Sequence, residues 1–161
     1  MLFRFNALKN STTGSQNVAI GENALYGAQG GCCTASYNVA IGRNTLRCNQ
    51  SGRDNLAIGV EALKNNTSGT DNLIMGHRAL YNNTTGSYNV MIGRCAGISI
   101  LAGSNNVILG CGYAGSSYLN NTIAIQAGCN LLKVDSAGAL TVNGSAVGGT
   151  SLDSHCSLFV R

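Results

Sequence analysis

Short apolar runs alternate with short polar ones along this chain, on a fixed beat. A five-residue unit, Asn-x-x-[Ile/Met/Leu]-Gly, occupies residues 17–21, 38–42, 55–59, 72–76, 89–93 and 106–110. Its final glycines at 42, 59, 76, 93 and 110 are each 17 residues apart, whereas the first step, from Gly21 to Gly42, is 21. The four extra residues fall near Gly30-Gly31-Cys32-Cys33, and a degenerate seventh copy, Thr-Ile-Ala-Ile-Gln, occupies 122–126. Two other landmarks keep the beat. A glycine (14, 52, 69, 86, 103) precedes the unit's last glycine by seven residues, and an Ala-Leu or Thr-Leu pair (24–25, 45–46, 62–63, 79–80) follows it.

A repeat of this length is too short for two packed helices, whose repeats run to about twice as many residues. Its segments are short, rich in β-branched residues and bounded by Gly and Asn, which reads as strand and turn. Two short strands and two turns make one coil of a solenoid. Coils stack about 4.8 Å apart, so seven of them make a rod on the order of 35 Å long. The expected fold is all-β: a parallel β-solenoid of 17-residue coils over residues 1–126, then a non-repeating segment over 127–161. In that segment Val134 and the pair Leu140 and Val142 flank an Asp-Ser-Ala-Gly turn, which predicts a short hairpin.

Stacking turns each repeat position into a vertical rank. Within the strand, alternation sends the second and fourth residues to one side. The ranks beginning at Val18 and Ile20 are wholly apolar and are expected to form the coil's own core. The residue between them points the other way, and that rank (Ala19, Ala40, Ala57, Ile74, Met91, Ile108, Ala124) is apolar as well. A strand apolar on both sides is buried on both sides. This rank is therefore expected to meet other copies of the chain, in a homotrimer about a fibre axis; a monomer with a mildly apolar stripe is the alternative. The unit's Asn rank is expected to form an amide ladder at a corner. The Asn-Thr-Thr-Gly stretches read as loop chemistry. Glu22, Arg43, Glu61, His77, Arg78 and Arg94 follow the unit and should be solvated. For the six tyrosines, packing between turns is expected, with contact to a partner as the other option.

Composition narrows the picture. The chain holds 22 glycines, no proline, no tryptophan and 10% charged residues, with a mean hydropathy near zero. That is neither charge-rich disorder nor a membrane-spanning sequence. The net charge of +4 is mild and the basic residues are scattered along the sequence, so no nucleic-acid footprint is read. No signal peptide and no run of apolar residues long enough for a membrane span stands out. Seven cysteines without a Cys-x-x-Cys read as thiols, with a Cys95–Cys111 bridge as an alternative.

The Asn-Val-Ala-Ile-Gly…Ala-Leu pattern resembles the left-handed parallel β-roll heads of trimeric autotransporter adhesins. It is still more similar to the Asn-Thr-Ala-Ile-Gly…Ala-Leu-x-x-Asn-Thr-Thr-Gly repeats of tail-fibre-like proteins of phages and large viruses. The resemblance covers about residues 6–126. It implies a homotrimeric fibre on a virion surface, or a bacterial surface adhesin, that touches a host glycan or protein. Residues 131–149 are similar to the linker that precedes a self-cleaving chaperone in many such fibres.

Chemistry-bearing patterns are few. Gly110-Cys-Gly112-Tyr-Ala-Gly115 fits G-x-G-x-x-G, but a dinucleotide site needs a helix next, and Ser-Ser-Tyr-Leu-Asn-Asn follows. His77 and His155 lack a catalytic set around them. Asp54 and Asp71 lie one period apart without the oxygen ligands a calcium ladder needs. No enzymatic activity, cofactor, metal site or membrane insertion is expected.

Overall fold

The computed structural model describes residues 6–27, 33–113, 115–143 and the backbone of 145–146. The expected insertion near residues 30–32, Cys32, Ala114, His155, Cys156 and the segment 147–161 lie outside the described residues.

Ten strands form a single sheet in chain order. They are β1 (Val18–Ile20), β2 (Val39–Ile41), β3 (Leu56–Ile58), β4 (Leu73–Met75), β5 (Val90–Ile92), β6 (Val107–Gly110), β7 (Ile123–Ala127), β8 (Asn130–Val134), β9 (Leu140–Val142) and β10 (Ser145–Ala146). No helix occurs among the described residues. Strands β1 to β7 pair in parallel. The register steps Val18↔Val39, Val39↔Leu56, Leu56↔Leu73, Leu73↔Val90 and Val90↔Val107 follow the sequence repeat. The last parallel step, Val107↔Ile123, is one residue shorter than the repeat. The chain is thus a β-solenoid with coils of about 17 residues. Hydrogen bonds between coils continue away from the sheet, as in Leu46 N–H to Ala62 O and Gln50 N–H to Thr67 O.

The strand's two faces are the reverse of the sequence expectation. Ala40, Ala57, Ile74, Met91, Ile108 and Ala124 are completely buried, and Ala19 packs against the same core. They point into the coil, across from Leu25, Leu46, Leu63 and Leu80. They are not an interface between copies. The Val18 and Ile20 ranks point outward instead. Size is the physical reason. The interior is thin and is filled by Ala beside Leu46 and Leu63 and by Ile74 beside Leu80, while the open side accepts branched chains in every coil. The long Met91 takes the space of a Leu as well: in its coil the Leu position is Gly97, and a Cβ there would lie 3.0 Å from the Met91 sulfur.

Those core leucines have φ between 47° and 50°. An L-residue in this region costs roughly 1–2 kcal/mol. Burying a whole Leu side chain stabilises by about 1.5–3 kcal/mol, so the inward turn is favourable on balance. Crowding explains a glycine of ordinary φ. A Cβ on Gly69 would run into the Gly86 carbonyl of the next coil and lie 2.5 Å from Asn66 Oδ1.

Two asparagine ladders complete the interior. In the expected one, each Asn uses a single side-chain oxygen to accept from both the backbone N–H and the side-chain NH2 of the next. For Asn55 the partners are Asn72 N at 3.1 Å and Asn72 Nδ2 at 2.9 Å. In the middle coils the other amide proton goes to a glycine carbonyl, Gly86 O for Asn72, and at the two ends Asn17 and Asn106 donate to Ala35 O and Leu119 O. The ladder runs from Asn17 to Asn106 and ends at Thr122, whose backbone N–H makes the last bond. The second ladder, Asn49–Asn66–Asn83, is as deeply buried. It lies in stretches that the sequence presented as loops.

At the C-terminal end the sheet turns antiparallel. β8 pairs with β7, and the expected hairpin forms between β8 and β9, with Val134 opposite Leu140. Asp135 Oδ1 closes its turn by accepting from the N–H groups of Ala137 and Ala139.

Candidate interaction faces

The outward face of the sheet is apolar from β1 to β9. In the parallel part it carries the Val18 and Ile20 ranks through to Ile123 and Ile125. The antiparallel strands extend it. Ile125 faces Leu132, which faces Val142, and Ile123 faces Val134, which faces Leu140. Residues directly opposite in neighbouring strands share a side, so the two ranks run nine strands high without a polar side chain. Val18 and Ile123 are each 47% exposed and Leu132 is 41% exposed, values unusual for branched aliphatic residues. At about 4.8 Å per strand the face is some 38 Å tall, and two ranks make it roughly 12 Å wide. Contiguous apolar surface of several hundred Å² marks an interaction site. The inner side of the same end turns polar at Lys133 and Thr141, where the core stops.

A second feature lies on the corner after the unit's glycine. The residues two and five places beyond that glycine meet there. Glu61 Oε2 accepts from Arg78 Nε at 2.8 Å and Oε1 from Lys64 Nζ at 3.1 Å. Lys64 also donates to the Tyr81 hydroxyl at 3.1 Å, and both cations lie over the Tyr81 ring. The bond from Arg78, aided by Lys64, holds the Glu61 carboxyl below its usual range against the opposing effect of burial. Burial pulls the Lys64 ammonium down, but its bonds to Tyr81 and Glu61 leave it raised on balance. Glu61 is only 8% exposed, so it departs from the expected solvated position. It stands in the rank of Asn23 and Asn44, whereas Glu22, Arg43, His77 and Arg94 are one residue earlier and exposed.

The remaining candidates disperse. Tyr37, Tyr88 and Tyr118 are exposed instead of packed between turns, the last at 72%. Tyr26, Tyr81 and Tyr113 are half-buried. Cys48, Cys95, Cys111 and Cys129 are thiols, with no Cys95–Cys111 bridge. Gly110 closes β6, and no helix follows Gly115. Among the described residues no three His, Cys, Asp or Glu side chains gather as a metal site would require, and no helix is long and apolar enough to cross a membrane. Neither a protein-family model nor a curated protein nor a solved structure matches the chain.

Proposed function

We propose that this chain is a structural and attachment segment of a fibre-type assembly on a virion, in which three copies pack their apolar sheet faces around a common axis. The carrying observation is the nine-strand double rank of outward Val, Ile, Leu and Met side chains. Alone in water that face is costly, at about 25 cal/mol per Å² of apolar surface left uncovered. A straight pair of ranks suits a threefold axis. Each chain's Val18 rank meets the Ile20 rank of its neighbour, and the contact closes after three copies. The resemblance of the repeats to tail-fibre-like proteins supports the virion setting. The loops and corners left outside the axis are available to a host glycan or protein.

Light scattering on the purified full chain tests the assembly. The expected mass is three times the 16.5 kDa chain. Ile58→Lys with Ile92→Lys, both on the outward face, should give folded monomers. A wild-type monomer at micromolar concentration would overturn the reading, and so would a trimer indifferent to the two lysines.

A further inference from the structure

Stacking gathers basic residues that are scattered in the sequence. Counted from the unit's glycine, the third and fourth residues, such as Thr45 and Leu46, are buried inside the coil. The first, second and fifth lie at one corner and are exposed or half-buried, apart from Glu61 beneath Arg78 and Lys64. Those three ranks hold Lys9, Arg43, Arg47, Lys64, Arg78 and Arg94, and the acids Glu22 and Glu61. Six basic against two acidic side chains leave an excess of four, which is the whole net charge of +4. The other four basic and four acidic residues of the chain cancel.

Glu61 is saturated by Arg78 and Lys64. Among the described residues Lys9, Arg43, Arg47 and Arg94 have no carboxylate partner. Arg47 Nε is out of reach of water and has no acceptor. Tyrosine rings separate the cations: Lys9 and Arg47 lie over Tyr26 at 5.8 and 5.6 Å, and Lys64 and Arg78 over Tyr81 at 5.1 and 5.5 Å. Coils about 4.8 Å apart put Arg47 one step from Lys64, and Arg43 about 14 Å from Arg94. Most of these charges fall within one or two screening lengths, about 8 Å at physiological salt, so they act on a ligand together.

We infer that this corner binds a linear sulfated polysaccharide along the rod. Guanidinium groups bind sulfate-type oxyanions through paired N–H donors, and a straight ridge of them matches a chain with repeating anions. Single-stranded nucleic acid fits less well, because it relies on bases stacking on aromatic rings. Tyr26 and Tyr81 already hold two cations each. A duplex needs an element that enters a groove, and the ridge offers none. The inference extends the attachment half of the proposed function. It depends on stacked coils and not on copy number, so light scattering and binding can fail independently.

The test titrates the full chain with a size-defined, fully sulfated heparin-type oligosaccharide. Its desulfated counterpart and a single-stranded oligodeoxynucleotide of equal charge serve as comparisons. The sulfated sugar should bind at least about tenfold more tightly than either, and binding should weaken steeply with salt. Arg43→Gln, Arg47→Gln and Arg94→Gln together should weaken it by at least about tenfold with an unchanged circular dichroism spectrum. Arg53→Gln with Lys133→Gln, which removes charge away from the corner, should change it less than about twofold. If the triple variant does not fold, exposed Arg94→Gln alone should weaken binding about threefold. No binding at low salt, equal affinity for the oligonucleotide, or an equal loss in the off-corner variant would each overturn the inference.

Discussion

Removing one amide from the middle of the first asparagine ladder should damage the rod far more than its size suggests. Asn72 donates to Asn55 Oδ1 and Gly86 O, and its own oxygen accepts from Asn89 N at 3.1 Å and Asn89 Nδ2 at 3.0 Å. Asn72→Ala deletes these four bonds. At about 1 kcal/mol net each, with the buried Asn89 N–H left without an acceptor, the cost is about 3–5 kcal/mol. That is a large share of the 5–15 kcal/mol that holds a typical domain folded. Asn72→Asp keeps the shape and the acceptor but loses both donors. It sets a carboxylate against the Asn55 and Gly86 oxygens in a site only 2% exposed. Burial and those oxygens raise its folded pKa above the ordinary carboxylate value of about 3.9. A raised folded value means the folded state binds more protons. The Asp variant is therefore least impaired below the unfolded pKa, and it loses stability as pH rises through the folded one. Urea unfolding followed by circular dichroism gives the cost, and amide exchange at Asn89 locates it. Exposed Ser68→Ala is the control and should stay within about 0.5 kcal/mol. The reasoning fails if Asn72→Ala costs no more than Ser68→Ala, or if Asn72→Asp matches wild type at neutral pH.

Two other outcomes follow from the same structure. Ala57→Leu adds a large side chain to the coil interior beside Leu63 and should cost about 1–3 kcal/mol in urea unfolding; a neutral effect would refute close packing at that position. Glu61 contributes stability that is present above the ordinary carboxylate value near 4.5 and is lost as pH falls through its lowered folded value. Comparing the unfolding midpoint of wild type and Glu61→Gln across pH 3–6 should show the gap between them closing on acidification, and a gap constant across that range would refute the assignment.

The period, the strand positions, the parallel stacking and the terminal hairpin were legible because each is written in spacing. The direction of the strand faces was not. Val-Ala-Ile is apolar at all three positions, so alternation separates two sides without saying which is inside. Size held the answer: the inner position takes Ala opposite Leu46 and Leu63, while the outer ranks are always branched or long. The Asn49–Asn66–Asn83 ladder also kept the repeat spacing, but its Asn-Thr-Ser-Gly surroundings carry ordinary turn chemistry, which masked it. The burial of Glu61 turned on an offset of one residue from Glu22 and Arg43. The basic corner could not be read from linear distance at all, since Lys9 and Arg94 become neighbours of one ridge only when coils stack.

The asparagine ladders have a direction. In every rung the acceptor oxygen belongs to the earlier coil and the donors to the later one, as from Asn38 to Asn55 and from Asn49 to Asn66. A chain emerging from the ribosome N-terminus first always has the waiting oxygen in place before the next amide arrives. Each finished coil thus offers its successor a row of ready acceptors, while the second amide proton of its own Asn waits for a carbonyl of the coil to come, as Asn55 does for Gly69 O.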